Sequence, residues 1–482
     1  MNGRLVLPRF DVAAAGVGAA GTVLAVLFVE RAGTPLGLGL LVGLTAFVGI
    51  VLAYVALPHA AVAATIPFFA VLPALKVFVH PLIGATKDLV VLAAVAAAGV
   101  LFLRRRAARQ DWIPDRFVLV VVGFLLVLYA ANVGGNLTGE TGYGAAWFHG
   151  VRLFAEPMSL LLVGLSLGGD PRRTLRWGGV SLALTGAVVA LIGVVQQAIG
   201  VAGLMAIGYA YGEEVREAYG FLRSFGTLPE PFAYAGFLLL GLAGVLLWMQ
   251  PRRLARLAAP ILLLGVLVSF VRTAGLIAIA LLGLTLAQRG HLRFAMLLLL
   301  SSVVAAATLF ALGSQQTSTR LVQVSPNQYL TLNGRTTLWQ EELGTKKSAW
   351  FFGRGVGATG TASQRAQETL TGAAREDAGE GGLVDSAYLA TVADVGLVGL
   401  GLLIGLMARL LFLAWRAAKR GERSGWLALG LLTVMLLDAL TRESLTGFPT
   451  AYIGMLALGL ALATWRRTDP DLPERELRAA ER

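Results

Sequence analysis

Cysteine is absent from this chain of 482 residues, and histidine occurs only four times. Without cysteine there can be no disulfide bond, no thiolate nucleophile and no cysteine-ligated metal. The histidines, His59, His80, His149 and His291, are scattered, and no H-E-x-x-H pattern occurs, so the sequence predicts no metal site and no cofactor. Charged residues are also scarce, at 14% against 56% hydrophobic residues, which is typical of a membrane protein.

The chain is instead rich in long apolar segments. They recur at lengths near the roughly 20 residues that cross a bilayer as a helix, and mean hydropathy is +0.73. The net charge of +12 comes largely from arginine clusters between these segments, such as Arg104 to Arg106. This pattern follows the positive-inside rule, so the basic balance indicates membrane topology and no nucleic-acid partner.

The sequence predicts an all-α polytopic membrane protein with about fourteen transmembrane helices, within a range of twelve to fourteen. The whole chain, 1–482, forms one integral membrane domain, with a first span at Asp11–Val29 that stays as an anchor. Both termini are expected in the cytoplasm, the C-terminal one as a charged tail at 466–482.

The apolar run from Leu257 to Ala287 is too long for one span. Basic residues flank both of its ends, and S-F-V-R-T interrupts it at Arg272. We therefore expect a tight pair of spans with Arg272 in the outer turn, because a single helix would bury this arginine at a cost of roughly 3 kcal/mol or more.

Two polar stretches are expected on the outer, periplasmic side. The first periplasmic loop covers 200–231, and the large periplasmic loop covers 313–385 and carries short helices, one of them beginning near Asn333. Neither stretch can lie in lipid without leaving charges and backbone groups unsatisfied.

Arginines and carboxylates collect on this outer side, close to the ends of helices. The candidate site residues are Arg223, Arg272, Arg335, Arg354, Arg442, Glu230, Asp385 and Glu443. Guanidinium groups bind phosphate through two hydrogen bonds and keep their charge, which suits a diphosphate ligand at the membrane surface. The alternative for each arginine is a structural salt bridge or a solvated side chain, such as a pair between Arg335 and Glu341 or Glu342.

The glycine-rich run Gly353-Arg354-Gly355-Val356-Gly357 imitates a phosphate-binding loop. No strand precedes it in a recognisable βαβ unit, so a nucleotide site is not favoured. We expect a turn that brings the backbone close to another element.

Four motifs between Arg223 and Leu400 carry a resemblance to a known family. They are R-S-F-G-T-L-P-E-P-F-A-Y-A-G from Arg223, S-F-V-R-T-A-G-L from Ser269, N-G-R-T-T-L-W from Asn333 with F-F-G-R-G-V-G from Phe351, and V-D-S-A-Y-L-A-T-V-A-D-V-G-L-V-G-L from Val384. In order and placement they resemble the bacterial O-antigen polymerase and O-antigen ligase superfamily of membrane glycosyltransferases.

The resemblance implies a GT-C-like glycosyltransferase of the bacterial inner membrane, whose active site faces the periplasm. Its partners would be a polyprenyl (undecaprenyl) diphosphate-linked oligosaccharide, membrane lipids and a chain-length regulator. It implies metal-independent, inverting transfer, with Arg223, Arg272 and Arg335 on the diphosphate, Arg272 also being catalytic, Asp385 as the base, and Tyr388 as a secondary site residue.

Two departures from the family pattern favour a polymerase of lipid-linked repeat units over a ligase that transfers finished glycan to lipid A core or protein. Asp385 stands where ligases commonly have histidine, and Ser386 replaces the usual asparagine. A flippase or transporter of polyprenyl-linked glycan is the alternative of another class, kept open by Lys76, Lys87 and Asp438 within apolar segments.

Overall fold

The computed structural model describes residues 34–107, 115–133, 143–167, 170–249 except 213 and 219–220, 252–296 except 292 and 295, 350–357, 360–363 and 386–466. The predicted helical class is confirmed in these ranges, with one small addition, a two-stranded hairpin. The helices are α1 (Thr34–Ala56), α2 (Pro58–Phe78), α3 (Thr86–Ala107), α4 (Arg116–Ala131), α5 (Tyr143–Ser166), α6 (Pro171–Ala206), α7 (Pro231–Ala243), α8 (Arg252–Val268), α9 (Arg272–Gln288), α10 (Ala387–Lys419), α11 (Arg423–Asp438) and α12 (Thr450–Arg466). The hairpin strands are β1 (Arg216–Ala218) and β2 (Phe221–Arg223).

Six segments in this described part are long and apolar enough to cross a membrane. They are Pro58–Phe78, Ile83–Ala107, Ala146–Ser166, Pro171–Ala206, Pro231–Trp248 and Ala387–Lys419. The chain is therefore a helical, membrane-embedded protein. The total of fourteen spans and the orientation stay predictions, and the first predicted span, most of the large loop and the C-terminal tail lie outside the described residues.

The long run around Arg272 is divided into two helices, as its length and flanking charges predict. Helix α8 ends at Val268 and α9 begins at Arg272. Ser269 closes the turn, because its hydroxyl donates to the Val266 carbonyl at 2.6 Å and accepts the Val271 amide at 3.2 Å. Arg272 consequently lies exposed in the first turn of α9.

Helix α7 lies at the centre of the bundle. Its residues from Ala233 to Ala243 are all buried, and α6, α8, α9, α11 and α12 surround it. A π-helical turn, Gly244–Trp248, continues it at one end, and Pro231 begins it at the other. Such a helix has no charged face to present to water, so its polar environment is confined to its ends, and the Pro231 end carries the candidate site.

The first predicted loop, 200–231, contains regular secondary structure. Helix α6 breaks at Gly200, whose φ is 71°, but resumes to Ala206. The hairpin follows and packs on a small core of Leu204, Tyr209, Val215, Leu222 and Phe225. Burial raises the pKa of Tyr209 to about 12, so its hydroxyl stays protonated at physiological pH.

Candidate active site

Two arginines share one aromatic ring at the beginning of α7. The guanidinium carbon of Arg223 lies 4.5 Å from the centre of the Phe232 ring, and that of Arg442 lies 5.9 Å from it. Arg223 ends the hairpin and Arg442 follows α11, so residues more than two hundred positions apart in the sequence meet here. An aromatic face accommodates guanidinium groups that would otherwise repel each other.

The carboxylates beside these arginines form only long ion pairs. Glu230 lies 3.4 Å from Nη2 of Arg442 and 3.7 Å from Nη1 of Arg216, and Asp438 lies 3.7 Å from Nε of Arg442. Optimal charge-assisted hydrogen bonds are shorter, at about 2.7–2.9 Å. Among the described residues, Arg216, Arg223 and Arg442 lie with two carboxylates, Glu230 and Asp438, so these five ionised side chains together have a formal net charge of +1, which favours an anion.

Hydrogen bonds of its neighbours Leu222 and Ser224 fix the position of Arg223. The amide of Ser224 donates to the Val268 carbonyl at 3.0 Å, and the Ser224 hydroxyl donates to the Gly193 carbonyl at 2.6 Å. Gln197 donates to the Leu222 carbonyl at 2.7 Å and to the Ser224 hydroxyl at 2.7 Å. The hairpin is thereby held to α6 and to the end of α8.

Arg223 also contacts the turn from which α9 begins. Its Nε donates to the Ser269 carbonyl at 3.4 Å, and Arg272 follows three residues later. The first turns of α7 and α9 are thus joined through Arg223. Helix N-termini present unpaired amides and partial positive charge, which adds to the attraction of this region for anions.

Comparison with known proteins supplies no family for this arrangement. The chain matches no protein-family model and no curated protein sequence.

The remaining predicted residues lie near this cluster or outside the described part of the chain. Arg335 and Asp385 fall outside it. Tyr388 donates its hydroxyl to the Leu436 carbonyl at 3.1 Å, a contact that joins α10 to α11. Ser386 and Ala387 are bonded to the backbone at Ala439 and Arg442, so the end of the large loop arrives beside the arginine cluster.

The glycine-rich run forms the predicted close-contact turn. Gly353, Gly355 and Gly357 have positive φ values of 77°, 115° and 81°. A Cβ on Gly353 would lie 2.5 Å from the Asp394 backbone, and one on Gly357 would lie 2.2 Å from the Ala146 carbonyl oxygen. The run therefore serves as a tightly packed structural segment.

The glycine segment comprises residues 353–357 and 360–363, and two carboxylates hold it in place. Asp394 accepts the Gly357 amide at 3.0 Å, and Glu443 accepts the Thr361 amide at 3.3 Å. Both carboxylates line a cavity of about 30 Å³, together with Tyr129, Gly150 and Thr446, which is large enough to hold water. Glu443 thus faces the glycine segment, whereas its neighbour Arg442 faces the arginine cluster.

Arg354, another predicted site residue, belongs to the glycine segment. Its backbone amide donates to the Ala393 carbonyl at 2.7 Å.

Replacing Gly396 with alanine is expected to weaken the packing of the glycine segment, and of Phe351 just before it, against α10. Helix α10 breaks at Gly396, where φ is 71° and ψ is −169°, a conformation essentially restricted to glycine. A Cβ there would also lie 2.2 Å from the Phe351 carbonyl oxygen. We expect a loss of roughly 1–3 kcal/mol in unfolding free energy. The midpoint of denaturant unfolding in detergent measures it.

Gly401 in the same helix is the matched control. Nothing lies within 4 Å of a Cβ built there, so Gly401→Ala is expected to leave stability unchanged or to raise it by up to about 1 kcal/mol. Equal effects of the two substitutions would contradict the role assigned to the break.

Sequence reasoning overlooked Phe232 and the Gln196–Gln197 pair. Gln196 is buried and accepts the amides of Phe225 and Gly226 at 3.1 and 2.8 Å. Two consecutive amide side chains inside an apolar span indicate an unusual polar contact, since unpaired polar groups are costly in a membrane. That feature of the sequence could have located the docking surface of the hairpin.

Proposed function

We propose that this chain is a bacterial polysaccharide polymerase. It transfers glycan from a polyprenyl (undecaprenyl) diphosphate donor to a lipid-linked repeat-unit acceptor, without a metal and with inversion. One observation carries the proposal: Arg223 and Arg442 share the Phe232 ring while Arg223 is bonded to the turn that precedes Arg272.

The chemistry of the leaving group explains why such a cluster is useful. The acceptor hydroxyl attacks the anomeric carbon, the bond from that carbon to the diphosphate breaks, and the electron pair goes to the phosphate oxygen. Fixed guanidinium groups stabilise this developing charge without any reorganisation during the reaction. Asp385 is the group assigned to take the hydroxyl proton, with Arg335 completing the diphosphate-binding set.

The proposal includes a topology. Fourteen spans in a GT-C-like arrangement would place the cluster on the periplasmic side of the inner membrane, with both termini in the cytoplasm. The large loop would then cover an arginine-lined cavity, and a chain-length regulator would act as a partner. The arrival of Ser386 beside Arg442 supports the idea that this loop contributes one wall of the site.

The two other candidate functions differ in their support. A ligase would use the same diphosphate chemistry and differs only in the acceptor. A transporter is less favoured, because Lys87 and Asp438 each lie close to a helix end against oppositely charged side chains. Transport pathways more often carry ionisable groups near the bilayer midplane.

A transfer assay with purified protein tests the proposal. With a defined polyprenyl diphosphate-linked oligosaccharide, a chelator and no other acceptor, we expect a ladder of lengthening products. Arg335→Ala is expected to abolish the ladder while the protein still inserts. Product only after addition of lipid A core would identify a ligase, and flux of labelled lipid without glycosidic bond formation would identify a transporter.

A further inference from the structure

Three consecutive aromatic side chains, Trp350, Phe351 and Phe352, project from the middle of the predicted large loop, 313–385. They are 40%, 66% and 65% exposed. Their backbone is nevertheless fixed, since the Trp350 carbonyl accepts the Leu397 amide at 2.7 Å and the Phe351 carbonyl accepts the Val398 amide at 3.3 Å. A third bond runs from Nδ2 of Asn132 to the Phe352 carbonyl at 2.5 Å. The exposed aromatic side chains are therefore held outward by an ordered backbone.

These aromatic residues continue an apolar surface that is already present on two helices. The exposed side chains of that surface are Phe117, Val120, Phe124 and Val127 on α4 and Leu397, Val398, Ile404, Leu411 and Phe412 on α10. The helices lie side by side, and Arg409 of α10 pairs with Asp115 before α4 at 2.6 Å. An exposed apolar face of this kind on membrane helices contacts lipid.

The position of the aromatic residues along α10 matches the edge of a bilayer. The helix is continuous after the break at Gly396 and carries Arg416 and Lys419 in its last turn. At 1.5 Å per residue, Leu397 lies about 28 Å from Arg416, close to the roughly 30 Å thickness of the hydrocarbon core. Trp350 and Phe351 are hydrogen-bonded to Leu397 and Val398, so they lie at the hydrocarbon boundary opposite the basic end of α10. Aromatic residues are enriched at this boundary in membrane proteins.

We propose that Trp350, Phe351 and Phe352 insert into the lipid interface and anchor the middle of the large loop to the membrane. The occupant of this surface is phospholipid, because the patch is continuous with the lipid-facing sides of α4 and α10. The glycine segment follows directly, so the anchor and the contacts of Asp394 and Glu443 hold the same stretch of chain at two points. The inference concerns lipid contact alone and does not depend on the proposed enzymatic activity.

Site-directed spin labelling tests the anchor, and the absence of cysteine makes every introduced cysteine a unique attachment site. Phe351→Cys and Phe352→Cys are labelled in the full chain and reconstituted into vesicles of phosphatidylethanolamine and phosphatidylglycerol. Collision with oxygen, which concentrates in lipid, is compared with collision with a water-soluble nickel chelate. We expect oxygen to be favoured several-fold at both positions.

Two reference sites calibrate the measurement. Phe124→Cys, on the exposed face of α4, should give the lipid value, and Glu217→Cys, on the exposed side of the hairpin, should give the water value. Values at 351 and 352 like that of the hairpin would overturn the anchor. Shielding from both reagents would also overturn it, by showing that protein covers the patch.

Discussion

Replacing Arg272 with alanine is expected to lower glycan transfer by about 100-fold or more, as removal of one fixed charge-stabilising donor does in other active sites. Arg272 begins α9 at the turn that Arg223 contacts through Ser269, so its charge adds to the cluster that would hold the leaving diphosphate. The side chain is exposed, so its removal should change the free energy of unfolding by no more than about 0.5 kcal/mol. Initial rates of transfer and unfolding midpoints of the same preparations separate the two effects.

Arg289 provides a control on the same helix. It follows the other end of α9 and is exposed as well, so Arg289→Ala removes an equal charge at a comparable site far from Phe232. We expect this variant to transfer glycan at the normal rate. A similar loss in both variants would indicate an effect of net charge or insertion, and unchanged transfer in Arg272→Ala would remove the cluster from the mechanism.

The helices could be predicted closely because lipid restricts what a chain can do. Unpaired backbone groups are costly in a bilayer, so each apolar run of sufficient length must form a helix. Basic flanks and an interrupting Arg272 were therefore enough to predict two helices, α8 and α9. The hairpin β1–β2 was not predicted, because its stability depends on packing against α6. That packing leaves no local pattern in the sequence.

The site could be predicted only in part, because its members meet through tertiary contacts. Placement beside helix ends identified Arg223, Arg442 and Glu230, all of which lie in one cluster. The ring that joins the arginines, Phe232, looked like any other residue of an apolar helix. Lys87 was singled out from the sequence, but its partner Glu156 lies 69 residues away and no periodicity connects them.

Lys87 belongs to a buried ion network that joins three helices. Its ammonium group donates to Glu156 at 2.6 Å, to Asp88 at 2.7 Å and to the Tyr452 hydroxyl at 3.2 Å. Arg152 lies 3.1 Å from Asp88, and Tyr452 also donates its hydroxyl to Glu156. Two cations thus balance two carboxylates, and all three donors of Lys87 have acceptors. This geometry indicates a structural role, because a completely paired group has no capacity left for a ligand.

Lys87→Met should therefore destabilise the protein by about 3–5 kcal/mol, the usual cost of leaving a buried charge without its partner. The side chains of Lys87 and Glu156 are only 9% and 11% exposed, so water cannot replace the lost contact. Unfolding free energies in detergent measure the loss, with Lys76→Met, at an exposed lysine of α2, as the control that should change little. The double variant Lys87→Met/Glu156→Gln should be less destabilised than the sum of the two single variants, because removing the second charge relieves the first defect. Additive losses, or a Lys87→Met variant as stable as the native chain, would show that the network does not hold α3, α5 and α12 together.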